Sequence, residues 1–347
     1  MSEKPIGVIG AGSFGTTVAN LLAENSQVLI YARSKELFNQ MSSTGASRDY
    51  LLHKNVTPVE TLEELATKTE IIFPVVPSSG FRNMMKNAAP YLYPYHTLIH
   101  GTKGLDVLLP DGMRIEDPAV VINRDNVKTM SEVILEESAV VKVGCLAGPN
   151  LAREIADKHP AATVVASRFD SVISDGQKLL RNERFQVYGN KDLIGIELTG
   201  VLKNIIAIAA GALSGLGYGE NARALLISRG MVEMIHLGKS LGGNTEAFIG
   251  LAGVGDLIAT CSSSLSRNFT VGYRLAKGET LSEIINSMQE VAEGINTVRI
   301  IKNFAKYYKF RAPITEKLYQ VLFATTTVEE AVQYLMKIPL NVDIDFL

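Results

Sequence analysis

Apolar positions change their spacing once along the chain. Up to about residue 190, short runs of β-forming residues alternate with helical patterns. The runs at 5–10, 27–31 (QVLIY), 70–78 (EIIFPVVPS), 96–101, 140–148, 162–167 and 185–189 predict strands. EIIFPVVPS is continuously apolar, as befits a strand buried on both faces of a parallel sheet. Helical patterns lie between them, in TTVANLLAEN and at 61–68, 80–90, 128–137, 150–157 and 170–182, while 32–55 is mixed. Such alternation predicts a doubly wound α/β sheet. From residue 193 the strand pattern stops. Segments 193–214, 221–241, 246–262, 267–277, 280–289, 293–308 and 314–324 all read as helical, with glycine-rich turns such as GLGYGE and GLAGVGD. The expected architecture is an N-terminal Rossmann-like dinucleotide-binding domain, 1–190, followed by an all-helical substrate and catalytic domain, 191–347. The proline-containing stretch 105–124 fits neither period and is read as an elaborated loop or hairpin.

Chemistry enters first at the end of the first strand. Gly10-x-Gly12-x-x-Gly15 follows a predicted strand and opens a helix, the context in which this motif binds a dinucleotide. Gly10 permits the tight turn, Gly12 lets the backbone approach a pyrophosphate, and Gly15 lets helix and strand pack closely. The helix N-terminus then receives the phosphate charge. A purely structural glycine turn is the other reading. At the end of the second strand an NAD-selective site usually carries an acid for the ribose 2′-hydroxyl. This chain has Tyr31-Ala32-Arg33-Ser34, and Arg33 suits a 2′-phosphate. The pattern favours NADPH over NADH; Arg33 as a solvated surface residue leaves NADH open.

The second chemical signal is a lysine in an apolar helix, LIGIELTGVLKNIIAIAAGALSGLG at 193–217. At 3.6 residues per turn Lys203 shares its face with Thr199, Gly200, Ile206, Ala207 and Ala210. No carboxylate is among them, so no i,i+4 partner neutralises the charge from within the helix. A desolvated lysine without a local partner has its pKa lowered, which makes it a proton donor near neutrality. Alternatively the lysine sits at a helix surface, its stem over apolar neighbours and its head in water.

Charge and composition exclude several classes. A net charge of −2 offers no basic excess for phosphate backbones, so no nucleic-acid partner is expected. MSEKPIGVIG enters a strand almost at once, without the basic-then-apolar pattern of a secretory signal. The apolar run after Asn204 is read as too short and glycine-rich to span a bilayer, which takes about 20 residues. Cys145 and Cys261 make no disulfide framework, and a cytoplasmic location is expected. The histidines at 53, 96, 100, 159 and 236 lack metal-ligand spacing, so no metal is assigned.

Several segments, taken in order, resemble the bacterial NAD(P)-dependent glycerol-3-phosphate dehydrogenases. They are GVIGAGSFGTTVA (7–19), VVPS (75–78), Lys103-Gly104, AGPNLAREIA (147–156), ELTGVLKNIIAIAAG (197–211), NARALLISRG (221–230), GLAGVGDLIATC (250–261), LSRN (265–268), VAEGINTV (291–298) and APITEKLYQVL (312–322). The resemblance implies reversible reduction of dihydroxyacetone phosphate by NADPH or NADH to sn-glycerol 3-phosphate for phospholipid synthesis, in a homodimer. It implies Lys203, Asp256, Thr260 and Lys103 as catalytic residues. Substrate contacts would come from Lys103, Gly148, Asn150, Lys203, Asn204, Asp256, Ser266, Arg267 and Asn268. Besides the glycines, Ser13, Phe14, Arg33, Lys103, Ala152, Arg267, Val291 and Glu293 would touch the cofactor.

The residue chemistry is compatible with this. Hydride delivery to a ketone leaves a developing alkoxide, which needs a cation and a proton source. Asp256 and Thr260 are i,i+4 and share one helix face; Asp256 orients Lys203 and contacts the substrate hydroxyl, caps the helix after Gly253 and Gly255, or does both. Ser266-Arg267-Asn268, at a helix start, suits a phosphate in charge and geometry. Lys103 is a carbonyl or phosphate ligand, or a solvated loop lysine. Phe14 and Val291 are equally compatible with packing, Arg223 and Arg229 are read as structural charges, and both cysteines as small buried hydrophobes. Two departures from the family pattern stand out: a longer stretch between Lys103 and Gly148, and Asn150 where serine or threonine is usual. A β-hydroxyacid dehydrogenase and a non-catalytic NAD(P) sensor are the competing functions.

Overall fold

In the computed structural model, residues 4–110, 112–117, 120–288 and 290–338 are described. Two compact units partition the chain: 1–106 with 129–197, and 107–128 with 198–347.

The first unit is built on eight strands: β1 (Ile6–Ile9), β2 (Val28–Tyr31), β3 (Val56–Val59), β4 (Ile71–Pro74), β5 (Thr97–His100), β6 (Lys142–Ala147), β7 (Ala161–Ser167) and β8 (Phe185–Asn190). Their order across the sheet is β8-β7-β6-β5-β4-β1-β2-β3. Strands β1 to β6 run parallel in the 3-2-1-4-5-6 order of a dinucleotide-binding fold, reversing direction of addition between β1 and β4. Both faces are covered. Alternate residues of one strand enter different cores: Phe73 and Ile99 pack with Val18, Leu22 and Leu180, whereas Ile72 and Leu98 pack with Phe81, Met85 and Ile134.

Several boundaries differ from the sequence expectation, each for a local reason. β7 is antiparallel to β6, because only the five-residue helix Ala152–Ala156 separates them, too little for a parallel crossover. β3 lies inside a stretch given no strand; Pro58 masks it, yet an edge strand tolerates proline. β4 stops at Pro74 rather than 78, and a helix starts at Ser78. Within the mixed segment, Ser34 caps the helix Lys35–Thr44.

In the second unit, the helix Leu193–Gly215 is buried nearly all round from Leu198 onward, as expected for a helix with no polar face. Over its 23 residues, rather than the run after Asn204 alone, it is long and apolar enough by length and composition to cross a membrane. However, 89% of its most apolar window is buried within the protein. It meets the helix Arg267–Ala276 backbone to backbone. A Cβ on Gly211 would stand 1.9 Å from the Phe269 carbonyl oxygen, and one on Gly272 1.8 Å from that of Ile208. That crossing fixes where the second helix begins, and with it Arg267. The segment read as helix 246–262 is broken into Thr245–Ile249, a π-helical turn Leu251–Gly255 and Asp256–Ser262. The remaining helices are Glu220–Leu241, Leu281–Ser287, Glu293–Tyr308, Pro313–Phe323 and Val328–Met336. The last lies beyond the helices expected from apolar spacing, although Thr327 and Glu330 form a capping box that marks its start.

Among the described residues of the stretch 105–124, only Asp106–Val107 is regular, in a two-residue ladder with Val127–Lys128. Arg124 and Ile115 are tied to other parts of their own unit. The Arg124 guanidinium donates to the carbonyls of Leu241 (3.0 Å) and Val127 (2.7 Å), and the Asn303 amide donates to that of Ile115 (3.2 Å).

Candidate active site

The nucleotide loop joins β1 to the helix Ser13–Ala23. Gly10 has φ +115°, and a Cβ there would lie 2.2 Å from the Val75 carbonyl oxygen. A Cβ on Gly15 would lie 2.0 Å from the carbonyl oxygen of Gly10. No other residue fits either position, so turn and helix are pressed together without side chains between them. Gly12 is the N-cap; it supplies no capping side chain, and the first turn holds no acidic residue. A helix N-terminus so arranged fits the pyrophosphate of a dinucleotide. Thr17 on this helix donates to the Ser13 carbonyl (2.8 Å) and lies 3.4 Å from that of Ala152. Phe14 is half-buried and packs against the core of the first unit. Arg33 follows β2 exposed, beside the helix-capping Ser34.

Past the end of β5, Lys103 donates to the carbonyl oxygen of Gly148 at 3.1 Å. The Asn150 amide donates to the Thr163 hydroxyl at 2.8 Å, which donates to the Ala147 carbonyl at 3.1 Å. Asn150's donor is therefore engaged within the fold, and its buried Oδ1 has no hydrogen-bond partner. One pair in this unit is invisible to sequence reasoning: His100 Nε2 lies 2.9 Å from Glu197 Oε1, which also accepts from the Ser131 backbone N–H at 2.9 Å. Both side chains are buried, which anchors the strand end that leads into Lys103. Only tertiary contact reveals it, since no local pattern joins His100 to Glu197.

In the second unit Lys203, Asp256 and Thr260 come together. Lys203 Nζ donates to Asp256 Oδ1 at 2.5 Å and to Thr260 Oγ1 at 2.6 Å, and the Thr260 hydroxyl donates to the Asp256 backbone carbonyl at 2.6 Å. All three are at most 4% exposed. The helical period of 193–217 speaks only for the lysine's own face and leaves open a carboxylate from elsewhere. The helix face indeed lacks one, but Asp256 arrives from another helix, so the charge is both desolvated and paired. Cys261, next in the chain, has its thiol pushed up to about 12, chiefly by burial. Burial likewise pushes the Cys145 thiol well up, and both cysteines are free.

The remaining candidates cluster where two helices begin. Ser266 caps Arg267–Ala276, its hydroxyl accepting from the Phe269 N–H at 3.2 Å. Arg267, about half exposed, donates to the Val291 carbonyl at 3.0 Å and pairs with Glu290 at 3.2 Å. Asn268 Oδ1 accepts from the Gly294 N–H at 3.0 Å, beside Glu293 at the start of Glu293–Tyr308. Asn204 is buried, and its backbone carbonyl abuts Gly294. Val291 is 49% exposed, so it is not a core residue. Among the described residues no three His, Cys, Asp or Glu side chains gather as a metal site.

Family models match nearly the whole chain. The N-terminal model of NAD-dependent glycerol-3-phosphate dehydrogenase matches residues 5–172, and the C-terminal model matches 192–333. The chain belongs to the NAD-dependent glycerol-3-phosphate dehydrogenase family. Curated relatives within the family include glycerol-3-phosphate dehydrogenase [NAD(P)+] of Pseudomonas putida KT2440, 40% identical across 99% of this chain and 97% of the relative. The Pseudomonas aeruginosa PAO1 protein of the same name is 38% identical across 99% and 98%. Among solved structures, glycerol-3-phosphate dehydrogenase of Coxiella burnetii superposes with a TM-score of 0.86 at 31% identity, over 97% of this chain and all of that one.

Proposed function

We propose that the protein reversibly reduces dihydroxyacetone phosphate to sn-glycerol 3-phosphate with NAD(P)H, supplying phospholipid synthesis, and that Lys203 is its proton donor and acceptor. The buried Lys203–Asp256–Thr260 cluster carries this reading. A nicotinamide cofactor, when bound, supplies or takes the hydride. Gly10, Gly12 and Gly15 with Ser13, Phe14 and Ala152 hold it in this reading, and the family resemblance adds Val291 and Glu293 as contacts. Lys203 gives a proton to the developing alkoxide and recovers one in the reverse direction. Asp256 holds the ammonium in place through Oδ1, and Thr260 fixes a second of its protons. Lys103, bonded to the Gly148 carbonyl, polarises the substrate carbonyl or steadies the phosphate, and Gly148 and Asn150 add substrate contacts. Ser266, Arg267, Asn268 and Asn204 receive the substrate phosphate, in which Arg267 supplies the charge.

The reading includes a cytoplasmic homodimer without nucleic-acid partner, supported by the net charge of −2, the two free buried cysteines and the family. Loss of NADPH or NADH absorbance on adding dihydroxyacetone phosphate tests the activity. No loss with either cofactor at substrate saturation rejects it.

Two variants test the binding roles. Arg267→Ala is expected to reduce kcat/KM for dihydroxyacetone phosphate by about tenfold to a hundredfold, the usual weight of a charge-assisted contact. Unphosphorylated dihydroxyacetone, which presents no such charge, is expected to react at nearly the parent rate. Equal losses on both substrates would assign Arg267 to the cofactor or the fold. For the cofactor, Arg33→Ala is expected to bring the NADPH and NADH dissociation constants together, mainly by weakening NADPH by about tenfold. Because Arg33 is exposed, that difference should shrink with added salt. Tight NADH binding that the variant leaves unchanged would mark Arg33 as a surface residue.

A further inference from the structure

Arg267 already has one edge of its guanidinium engaged. One of its terminal nitrogens, Nη1, lies 3.0 Å from the Val291 carbonyl and 3.2 Å from Glu290 Oε2. The Arg267 and Glu290 side chains are 47% and 24% exposed, so water reaches both. We propose that Glu290 is an internal counter-ion that competes with a ligand's phosphate for Arg267, and thereby sets the phosphate affinity of the site. This rests on the reading that Arg267 receives phosphate.

The competition follows from charge and geometry. A partly exposed ion pair is weak, so a stronger anion displaces it at little cost. A phosphate carries more charge and more acceptor oxygens than a carboxylate, and guanidinium pairs with it in bidentate fashion. Glu290 is also tethered one residue from Val291, whose carbonyl already holds Nη1. The carboxylate therefore sits at high local concentration, and a phosphate that takes Nη1 has to compete with it. Displacement need not loosen the surrounding backbone. A second tie, from the Gly294 N–H to Asn268 Oδ1 at 3.0 Å, joins the same two segments without using the Arg267 charge. Glu290 thus tunes affinity separately from local structure, which makes a neutral variant informative.

The test uses Glu290→Gln in the full chain, with Arg267→Ala and the exposed Glu246→Gln as comparisons. Calorimetry on cofactor-free protein measures affinity for sn-glycerol 3-phosphate and for inorganic phosphate. Fluorescence titration measures NADPH and NADH, and steady-state kinetics separates KM from kcat. Glu290→Gln is expected to tighten the phosphate ligand by about two- to fivefold, the weight of a screened ion pair, with kcat and the unfolding midpoint unchanged. The gain should fade in high salt. Tightening of sn-glycerol 3-phosphate and inorganic phosphate assigns the competition to the substrate's phosphate. Tightening of the dinucleotides alone assigns it to theirs, and either supports the proposal. If Arg267→Ala weakens phosphate ligands while Glu290→Gln does not tighten them, the counter-ion role is overturned and Arg267 keeps its own. If Arg267→Ala changes no ligand's affinity, the underlying assignment of Arg267 fails, and the counter-ion role with it. An equal gain in Glu246→Gln reduces the effect to overall charge and overturns the proposal.

Discussion

Lys203→Ala is expected to lower kcat by about 10²–10⁴, the range for loss of a general acid, while the NADPH dissociation constant stays near that of the parent. Removing the ammonium takes away the proton source and strands Asp256 among buried neighbours, so folding must be checked alongside the rate. Lys203→Arg separates proton transfer from charge. Arginine preserves the cation but does not deprotonate near neutrality. Comparable losses in both variants would identify proton transfer as what Lys203 provides. A fast Lys203→Arg enzyme would reduce its part to electrostatic stabilisation, and a fast Lys203→Ala enzyme would remove it from the mechanism.

The second large effect is on stability. Asp256→Ala removes the carboxylate that pairs with the buried Lys203 ammonium, and breaking one side of such a pair costs about 3–5 kcal/mol. Urea unfolding should show this as a lower midpoint at constant slope. In Lys203→Met/Asp256→Leu no charge is left to desolvate, so most of the stability should return. Activity should not return with it. If Asp256→Ala unfolds at the parent midpoint, the pair is hydrated in solution and its burial has no energetic consequence. If the double variant stays as unstable as the single one, packing around position 256, rather than charge, holds the helix Asp256–Ser262.

Much of the first unit is legible because its signals are local. A strand ending in Gly10-x-Gly12-x-x-Gly15 before a helical period admits few backbones, and the close approaches at Gly10 and Gly15 show why: either Cβ would overlap a carbonyl oxygen. The buried parallel strands declare themselves through continuous apolar runs. Edges are harder to read. β3 carries a proline that only its edge position tolerates, and β7 runs antiparallel because of a short connection rather than any composition. Similarly, the π-helical turn Leu251–Gly255 breaks a segment whose apolar spacing looks continuous.

The site divides along the same line. From its own residues the chain determines that Lys203 lies in an apolar helix without a charged neighbour on its face, that Asp256 and Thr260 share another face, and that Arg267 stands near a helix start. Those are statements about period and capping, which short-range backbone geometry dictates. Only the tertiary structure decides that Asp256 meets Lys203, that Glu197 meets His100, and that Arg267 is already paired with Glu290. Each contact joins residues from different elements, and a buried or half-buried charge is satisfied by whichever group packing brings within about 3 Å. Helical period cannot supply that information, because it orders a residue's neighbours along one helix and leaves open what the fold sets against it.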